Sequence, residues 1–279
     1  NIHYLYDSLE SLRCQTYKKF EVIIINDGSP NKKTINEIVK KFRKKFKIKL
    51  INLKFNKGVS HALNIGIKKA NGKYISWLSH DDYFHHKKFE LQIQAIKNKD
   101  ICITGFYCVN ESKKIFKTIR YNANDFSAKN HILIRDNFNF CTILLKKKIF
   151  SKVGYFNEKL RHVQDYDMMF RIFKIYDPIL LNECLLFSRF HDGQNSRKYI
   201  DKAYKEKEIF YLSKYKQLQK FFNTSKLFKK ILIKFFIKRR NLSKLNNKLI
   251  YEISKENIFF KLILKMVYVF SGYYQFFKN

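Results

Sequence analysis

Apolar residues in the first 200 positions follow two rhythms. Short runs rich in Ile, Val and Leu, bounded by polar turn residues, read as buried strands at residues 21–26 (EVIIIN), 48–53, 74–78, 101–109, 141–145 and 179–187. Between them apolar positions recur every three or four residues, which predicts amphipathic helices. Over residues 34–46, Ile35, Ile38, Val39, Phe42 and Phe46 share one face and lysines occupy the other. Residues 60–70 and 87–97 behave alike. The order is βαβαβ followed by a less regular stretch, the pattern of an α/β domain with a mostly parallel sheet flanked by helices.

Near residue 200 the rhythm changes. Gly and Pro nearly vanish, helical periodicity continues, and residues 214–248 carry twelve Lys or Arg and no acid. This predicts an α/β domain over 1–200 and a separate basic, amphipathic helical region over 201–279. The stretch 225–240 (SKLFKKILIKFFIKRR) suits an anionic membrane surface, and equally a helix packed on its own domain with its lysines in water.

Composition narrows the classes. With 279 residues, 46% hydrophobic and 17% aromatic, the chain is neither disordered nor fibrous. A net charge of +34 favours anionic partners (nucleic acid, anionic lipid or a phosphorylated substrate) without choosing among them. A Lys-, Asn-, Ile-, Phe- and Tyr-rich composition of the kind an AT-rich genome produces accounts for that charge equally well. Cys14, Cys102, Cys108, Cys141 and Cys184 are odd in number, widely spaced and never in a CxxC pair, which argues against a disulfide framework or zinc site and for a reduced, cytoplasmic location. The most apolar late window, 258–277, is interrupted by Lys261 and Lys265, so a spanning helix is not expected.

Candidate chemistry sits in loops at the carboxyl ends of the expected strands, where open α/β sheets bind ligands. After EVIIIN come Asn26, Asp27, Gly28 and Ser29, a carboxylate and a flexible turn that can hold a nucleobase or ribose. Such a turn is also an ordinary strand exit. After YISWL come Ser79, His80, Asp81 and Asp82. Two adjacent acids there can bind Mg²⁺ or Mn²⁺ and neutralise a diphosphate, or Asp82 can cap a following helix. Gln164, Asp165, Tyr166 and Asp167 open a helical segment, where acids are common because they complement the dipole. His191, just after Arg189, is a metal or phosphate ligand or simply structural.

Taken in order, these blocks resemble the inverting family 2 glycosyltransferases of GT-A fold. The matching strings are SLESLRCQTYKKFEVIIINDGS (8–29), NKGVSHALNIGIKKANGKYISWLSHDD (56–82), VGYFNEKL (153–160), QDYDMMFRI (164–172) and SRFHDGQNS (188–196). The resemblance implies that a hexosyl group moves from a nucleoside-diphosphate sugar, a UDP-sugar in the first instance, to a saccharide or lipid-linked acceptor in bacterial surface polysaccharide synthesis. It implies that Asp27 holds the base, that Asp81 with His191 binds Mn²⁺ or Mg²⁺ on the diphosphate, and that Asp165 is the general base. Asn26, Gly58, Asn64, His80, Asp82, Gln164 and Arg189 stand at the motif positions that surround the substrates. The usual Asp-x-Asp stands here as Ser79-His80-Asp81, and one metal carboxylate suffices when diphosphate and water fill the other positions. Relatives begin with a further apolar strand before the residue corresponding to Asn1, which predicts chain upstream. A Gln-x-x-Arg-Trp string is absent and Trp77 is the single tryptophan, so single-sugar transfer is expected rather than processive synthesis.

Two other readings compete. A nucleic-acid-binding protein explains the charge but not why NDGS, HDD and QDYD fall in this order, so nucleic acid is the disfavoured partner. A catalytically silent GT-A scaffold is consistent with Ser79, and metal-dependent binding of a nucleoside diphosphate separates it from the enzyme.

Overall fold

The computed structural model describes residues 2–121 and 139–194, with 198–203, 205–207, 209–210 and 213 beyond them. The chain divides into two units, Asn1–Glu208 and Ile209–Asn279, and both sheets lie in the first. The basic stretches 214–248 and 225–240 lie outside the described residues.

Helix α1 (His3–Arg13) opens the unit, with Leu5, Leu9 and Leu12 on one face. Strands β1 (Val22–Asn26) and β2 (Ile48–Asn52) pair in parallel, from Val22 opposite Ile48 to Asn26 opposite Asn52. Helix α2 (Lys32–Arg43) connects them and buries Ile35, Val39 and Phe42, while its lysines face water. Those three residues pack with the leucines of α1 and with Phe84, Phe106 and Leu186 into one core. At ~1.5–3 kcal/mol for each fully buried large apolar side chain, this contact is what seats α1.

Helix α3 (Val59–Lys69) leads from β2 towards a second, six-stranded sheet. Its elements are β3 (Tyr74–Ile75), β4 (Tyr83–Phe84), α4 (Lys88–Ile96), β5 (Ile101–Val109), β6 (Ile115–Ile119), β7 (Ile143–Lys146), α5 (Ile149–Val153), α6 (Gln164–Phe173) and β8 (Ile179–Arg189). The strand order is β3-β7-β5-β8-β4, with β6 also paired to β5. Strand β5 is buried along its length and runs parallel to β8.

The α/β architecture expected from the sequence is present, but the mostly parallel sheet is corrected to a mixed one. Pairs β3–β7, β4–β8, β5–β6 and β5–β7 are all antiparallel. The β5–β6 pair follows from a short connection. Strand β6 returns from β5 through a tight turn in which Asn110 accepts the N–H groups of Lys113 and Lys114, and so short a link can join only antiparallel neighbours. The strand expected over 74–78 ends at Ile75, because the Ser76 hydroxyl donates to the Ile143 carbonyl (2.9 Å) and Trp77 stacks on Phe140 (4.1 Å, 16°). The strand expected from Cys141 begins as a 3₁₀ turn, with the Asn139 side chain accepting the Cys141 N–H. Among the described residues no helix is long and apolar enough to cross a membrane.

One buried cation in this core has no charged partner among the described residues. Lys88, at the start of α4, is 0% exposed, donates to Ser76 Oγ (3.2 Å) and Gln92 Oε1 (2.6 Å), and lies over the Phe84 ring at 4.3 Å. Burial pushes its ammonium down to about 7. Because the unfolded chain holds this proton up to the ordinary lysine range, the contribution of Lys88 to stability should be lowest below pH 7 and rise from there towards pH 10, with a slope approaching ~1.4 kcal/mol per pH unit. Urea unfolding of the parent and of Lys88→Met across that range measures it. The difference between them should shrink as pH rises, and a constant difference contradicts a lysine that discharges in the fold.

Candidate functional site

Asp27 follows the last residue of β1 and reaches across to the β2–α3 loop. Its two carboxylate oxygens accept the N–H groups of Lys57 (2.9 Å) and Gly58 (2.8 Å). The loops can approach this closely because residue 28 is glycine. Its φ is +71°, and a Cβ there would lie 2.5 Å from the Asn56 nitrogen. Asn26 is buried and occupied within the turn, its amide donating to Asn52 Oδ1 (2.8 Å) and its oxygen accepting the Ser29 N–H (3.0 Å). Asn26 therefore fastens the strand ends, a placement that leaves the exposed rim of this turn to Asp27 and its neighbours.

Gly58, just before α3, has φ +97°, and a side chain there would run into the Arg161 guanidinium, which donates to the Lys57 carbonyl (2.9 Å). Asn64, on α3, is also buried. Its amide donates to the Phe156 carbonyl (3.0 Å) and Glu158 (2.8 Å), and its oxygen accepts the Phe156 N–H (2.9 Å). Gly58 and Asn64 thus hold the 153–161 segment against α3.

The next cluster forms where the β3–β4 loop meets the end of β8. Arg189 Nε donates to the Asp81 carbonyl (2.9 Å), and the Arg189 N–H donates to Asp82 Oδ1 (2.9 Å). Two residues on, His191 Nε2 lies 3.2 Å from Asp81 Oδ2. Three bonds between Asp81-Asp82 and Arg189-x-His191 lock loop to strand and turn the Asp81 carboxylate towards the imidazole. His80 stays outside, 60% exposed, with Nδ1 3.9 Å from Asp81 Oδ1.

Two expectations change here. Asp82 caps no helix, since β4 follows it and α4 begins only at Lys88. Its carboxyl is instead buried among Arg189, Asn139 and Ser188, and burial, with Asp81 alongside, pushes it up to about 7. Arg189 does not face an open site. It is 1% exposed, with Nη2 on Asp7 (2.7 Å), Nη1 on the Glu111 carbonyl (3.2 Å), and the guanidinium 4.4 Å from the Tyr4 ring. Asp7, Tyr4 and Glu111 were not singled out from sequence, although Tyr4 and Asp7, three apart on a helix, share a face.

At the head of α6 the two acids have different surroundings. Asp167 is buried and paired with Arg171 (2.9 Å), whose guanidinium also serves the Val153 and Tyr155 carbonyls. Asp165 is partly buried and makes no ion pair among the described residues; its Oδ1 accepts the Tyr166 N–H (2.9 Å). Desolvation pushes it up to about 6, against that bond and with some help from Glu206. Beside it, Gln164 Oε1 is buried and makes no hydrogen bond among the described residues.

The structure thus brings Asp81, Asp82, Arg189 and His191 together, ties Asp27 to Gly58, and places Asp165 with Gln164 on one helix end. No set of three or more His, Cys, Asp or Glu able to hold a metal forms among the described residues. Asp81 and His191 remain a converging pair of one oxygen and one nitrogen donor.

A family model described as Glycosyl transferase family 2 matches residues 1–162, ending three positions before Asp165. An uncharacterized glycosyltransferase of Rickettsia conorii is 36% identical over 205 residues, covering 70% of this chain and 33% of its own length. Another, from Methanocaldococcus jannaschii, is 31% identical over 214 residues, covering 75% and 72%. The chain spans about a third of the length of the first curated relatives it matches. Among solved structures, residues 1–349 of S. aureus TarS align with TM-score 0.58 at 20% identity, covering 67% of this chain and 56% of that one. The same fragment in complex with UDP-GlcNAc aligns with TM-score 0.56 at 19% identity, covering 69% and 56%. At these identities the likeness speaks to fold, and the α/β unit has the GT-A fold.

The Arg189 cluster is open to a direct check. Arg189→Met should destabilise the chain by at least ~3 kcal/mol, because it strips a buried cation from Asp7 and leaves the Asp81 and Glu111 carbonyls without their donor. Lys113→Ala, which removes the exposed Lys113–Asp7 pair (2.8 Å), should cost no more than ~1 kcal/mol. Equal losses in urea unfolding would show that Arg189 does not hold this region together.

Proposed function

This chain belongs to glycosyl transferase family 2, and from that premise we propose that it moves a single hexosyl group from a UDP-sugar to an acceptor hydroxyl with inversion at the anomeric carbon. The observation that carries the reading is the contrast at the head of α6. Asp167 is neutralised by Arg171, whereas Asp165 makes no ion pair among the described residues and has a proton affinity raised to about 6. A carboxylate so placed is ionised at neutral pH yet basic enough to take a proton in a transition state.

In the proposed reaction Asp165 removes the acceptor hydroxyl proton as that oxygen attacks the anomeric carbon. The bond from that carbon to the diphosphate oxygen breaks on the opposite face, and its electron pair leaves on the nucleoside diphosphate. Gln164 Oε1, buried without a partner among the described residues, is an acceptor for a sugar hydroxyl. Asp27 borders the base site, and its bonds to Lys57 and Gly58 fix that border. A donor of the UDP class is supported by the TarS structure that holds UDP-GlcNAc on a similar fold.

Asp81 and His191 would hold a divalent cation, and their mixed oxygen and nitrogen donors favour Mn²⁺ over Mg²⁺. Such an ion supplies charge neutralisation on the departing diphosphate. The acceptor we infer is a saccharide or lipid-linked hydroxyl of surface polysaccharide synthesis, used at the cytoplasmic side of a membrane. The whole-chain charge of +34 is consistent with an anionic surface there.

Calorimetry with UDP and Mn²⁺ tests the donor site. Asp81→Ala should lose metal-dependent UDP binding, and unchanged affinity removes Asp81 from the metal. Transfer kinetics test the base. Asp165→Asn should lose ~10²–10⁴-fold in turnover while UDP affinity holds, and Asp167→Asn should act chiefly through stability. For the parent, kcat/KM should fall below about pH 6 as Asp165 takes up its proton. A profile flat from pH 5 to 8, or normal transfer by Asp165→Asn, contradicts the assignment.

A further inference from the structure

Residues 198–203 and 205–207 are largely helical and belong to the first unit, although the boundary expected from the sequence, after residue 200, falls within the first of these stretches. From this segment Glu206 reaches the backbone that enters α6. Its Oε1 accepts the Arg161 N–H (2.9 Å), and its Oε2 accepts those of His162 (2.5 Å) and Val163 (3.1 Å). Peptide N–H groups at a helix entrance need acceptors from outside the helix. The residue at the capping position of α6 is Val163, whose side chain offers none. Glu206, 43 residues from Val163 in sequence, instead takes the N–H groups of the three residues that lead into the helix, the last of them at the capping position. Its neighbours strengthen the seating, with Lys207 Nζ 4.0 Å from the Tyr166 ring centroid and Tyr199 beside His162 at 6.1 Å.

We propose that Glu206 is a positioning residue for Asp165: its carboxylate fixes the path of residues 161–163 and thereby the point from which α6 presents the base. This rests on the reading of Asp165 as the base. The same path carries Arg161, which bonds the Lys57 carbonyl next to Gly58, so Glu206 also steadies the contact with the Asp27 loop. Among the described residues, the charged or titratable groups around the α6 entrance are Arg161, His162, Tyr166, Tyr199, Glu206 and Lys207, with Asp167 held by Arg171. The negative charge of Glu206 adds to burial in raising the proton affinity of Asp165.

The test uses the full chain as parent, Glu206→Gln and Glu206→Ala, each with ¹³C-labelled aspartate carboxyls. The Asp165 resonance is assigned by its loss in Asp165→Asn, and each protein is titrated by NMR. Glu206→Gln keeps an acceptor and loses the charge, so the Asp165 midpoint should fall by ~0.5 pH unit or more. Glu206→Ala also frees the three N–H groups. It should lower turnover about tenfold or more with UDP affinity unchanged, as expected when a general base is displaced rather than removed. If Glu206→Ala fails to fold, the Glu206→Gln titration decides. An Asp165 midpoint that stays with the parent's in Glu206→Gln overturns the proposal. Because the titration needs no turnover, it stands apart from the base assignment, which fails on its own if Asp165→Asn transfers sugar normally.

Discussion

A buried guanidinium must find an acceptor for the protons it presents, and the acceptors around Arg189 come from three separate elements. Asp7 lies on α1, the Asp81 carbonyl in the β3–β4 loop, and the Glu111 carbonyl in the β5–β6 turn. Tyr4 and Tyr83 cover its faces, at 4.4 and 5.4 Å. Removing one partner leaves charge in a low-dielectric setting, so the whole set is held or lost together. The consequence for the site is positional. With its carbonyl on Arg189 Nε and the next carboxylate on the Arg189 N–H, Asp81 has little freedom left, and its own carboxylate is directed at His191.

Around that anchor the fold sorts its acids by environment. Asp167 is neutralised by Arg171, and Asp27 is tied to two peptide N–H groups. Asp82 is buried and its proton affinity raised to about 7, which suits a carboxyl that serves β8 rather than a ligand. Asp81 keeps one carboxylate edge shared with His191, and Asp165 keeps no cation at all among the described residues. Five carboxylates thus divide between those that hold loops and those left available for chemistry. Burial and pairing make that division, which residue identity alone does not.

That contrast also explains how much of the molecule was legible in the chain. The strand at 101–109 was legible because eight of its nine residues are buried and the run is mainly apolar, and those at 22–26 and 48–52 were legible from their Ile-, Val- and Leu-rich runs although most of their residues are only half-buried. Helix α2 was legible from its spacing. Strand β6 was not, because four of its five residues are exposed and it owes its place to the turn before it. Helix α1 carries Leu5, Leu9 and Leu12 at helical spacing, a signal present in the chain but absent from the elements expected of it. The motif residues stand out by their order, but their roles split on contacts between residues far apart in sequence. Arg189 meets Asp7 across 182 positions, and Asn64 meets Phe156 across 92. A histidine or arginine beside a strand end looks the same on paper whether it faces a ligand or a buried tie.

The central claim is a single displacement at the anomeric carbon assisted by a base on α6, and it leaves a stereochemical trace that binding or stability cannot mimic. The direct measurement is ¹H NMR of the sugar first formed from an α-linked UDP-sugar, beginning with UDP-GlcNAc, in the presence of Mn²⁺ and recorded before the anomers equilibrate. The account predicts that the β-anomer appears first, in the acceptor product or as free sugar when water is the acceptor. An α-anomer as the first product would contradict it.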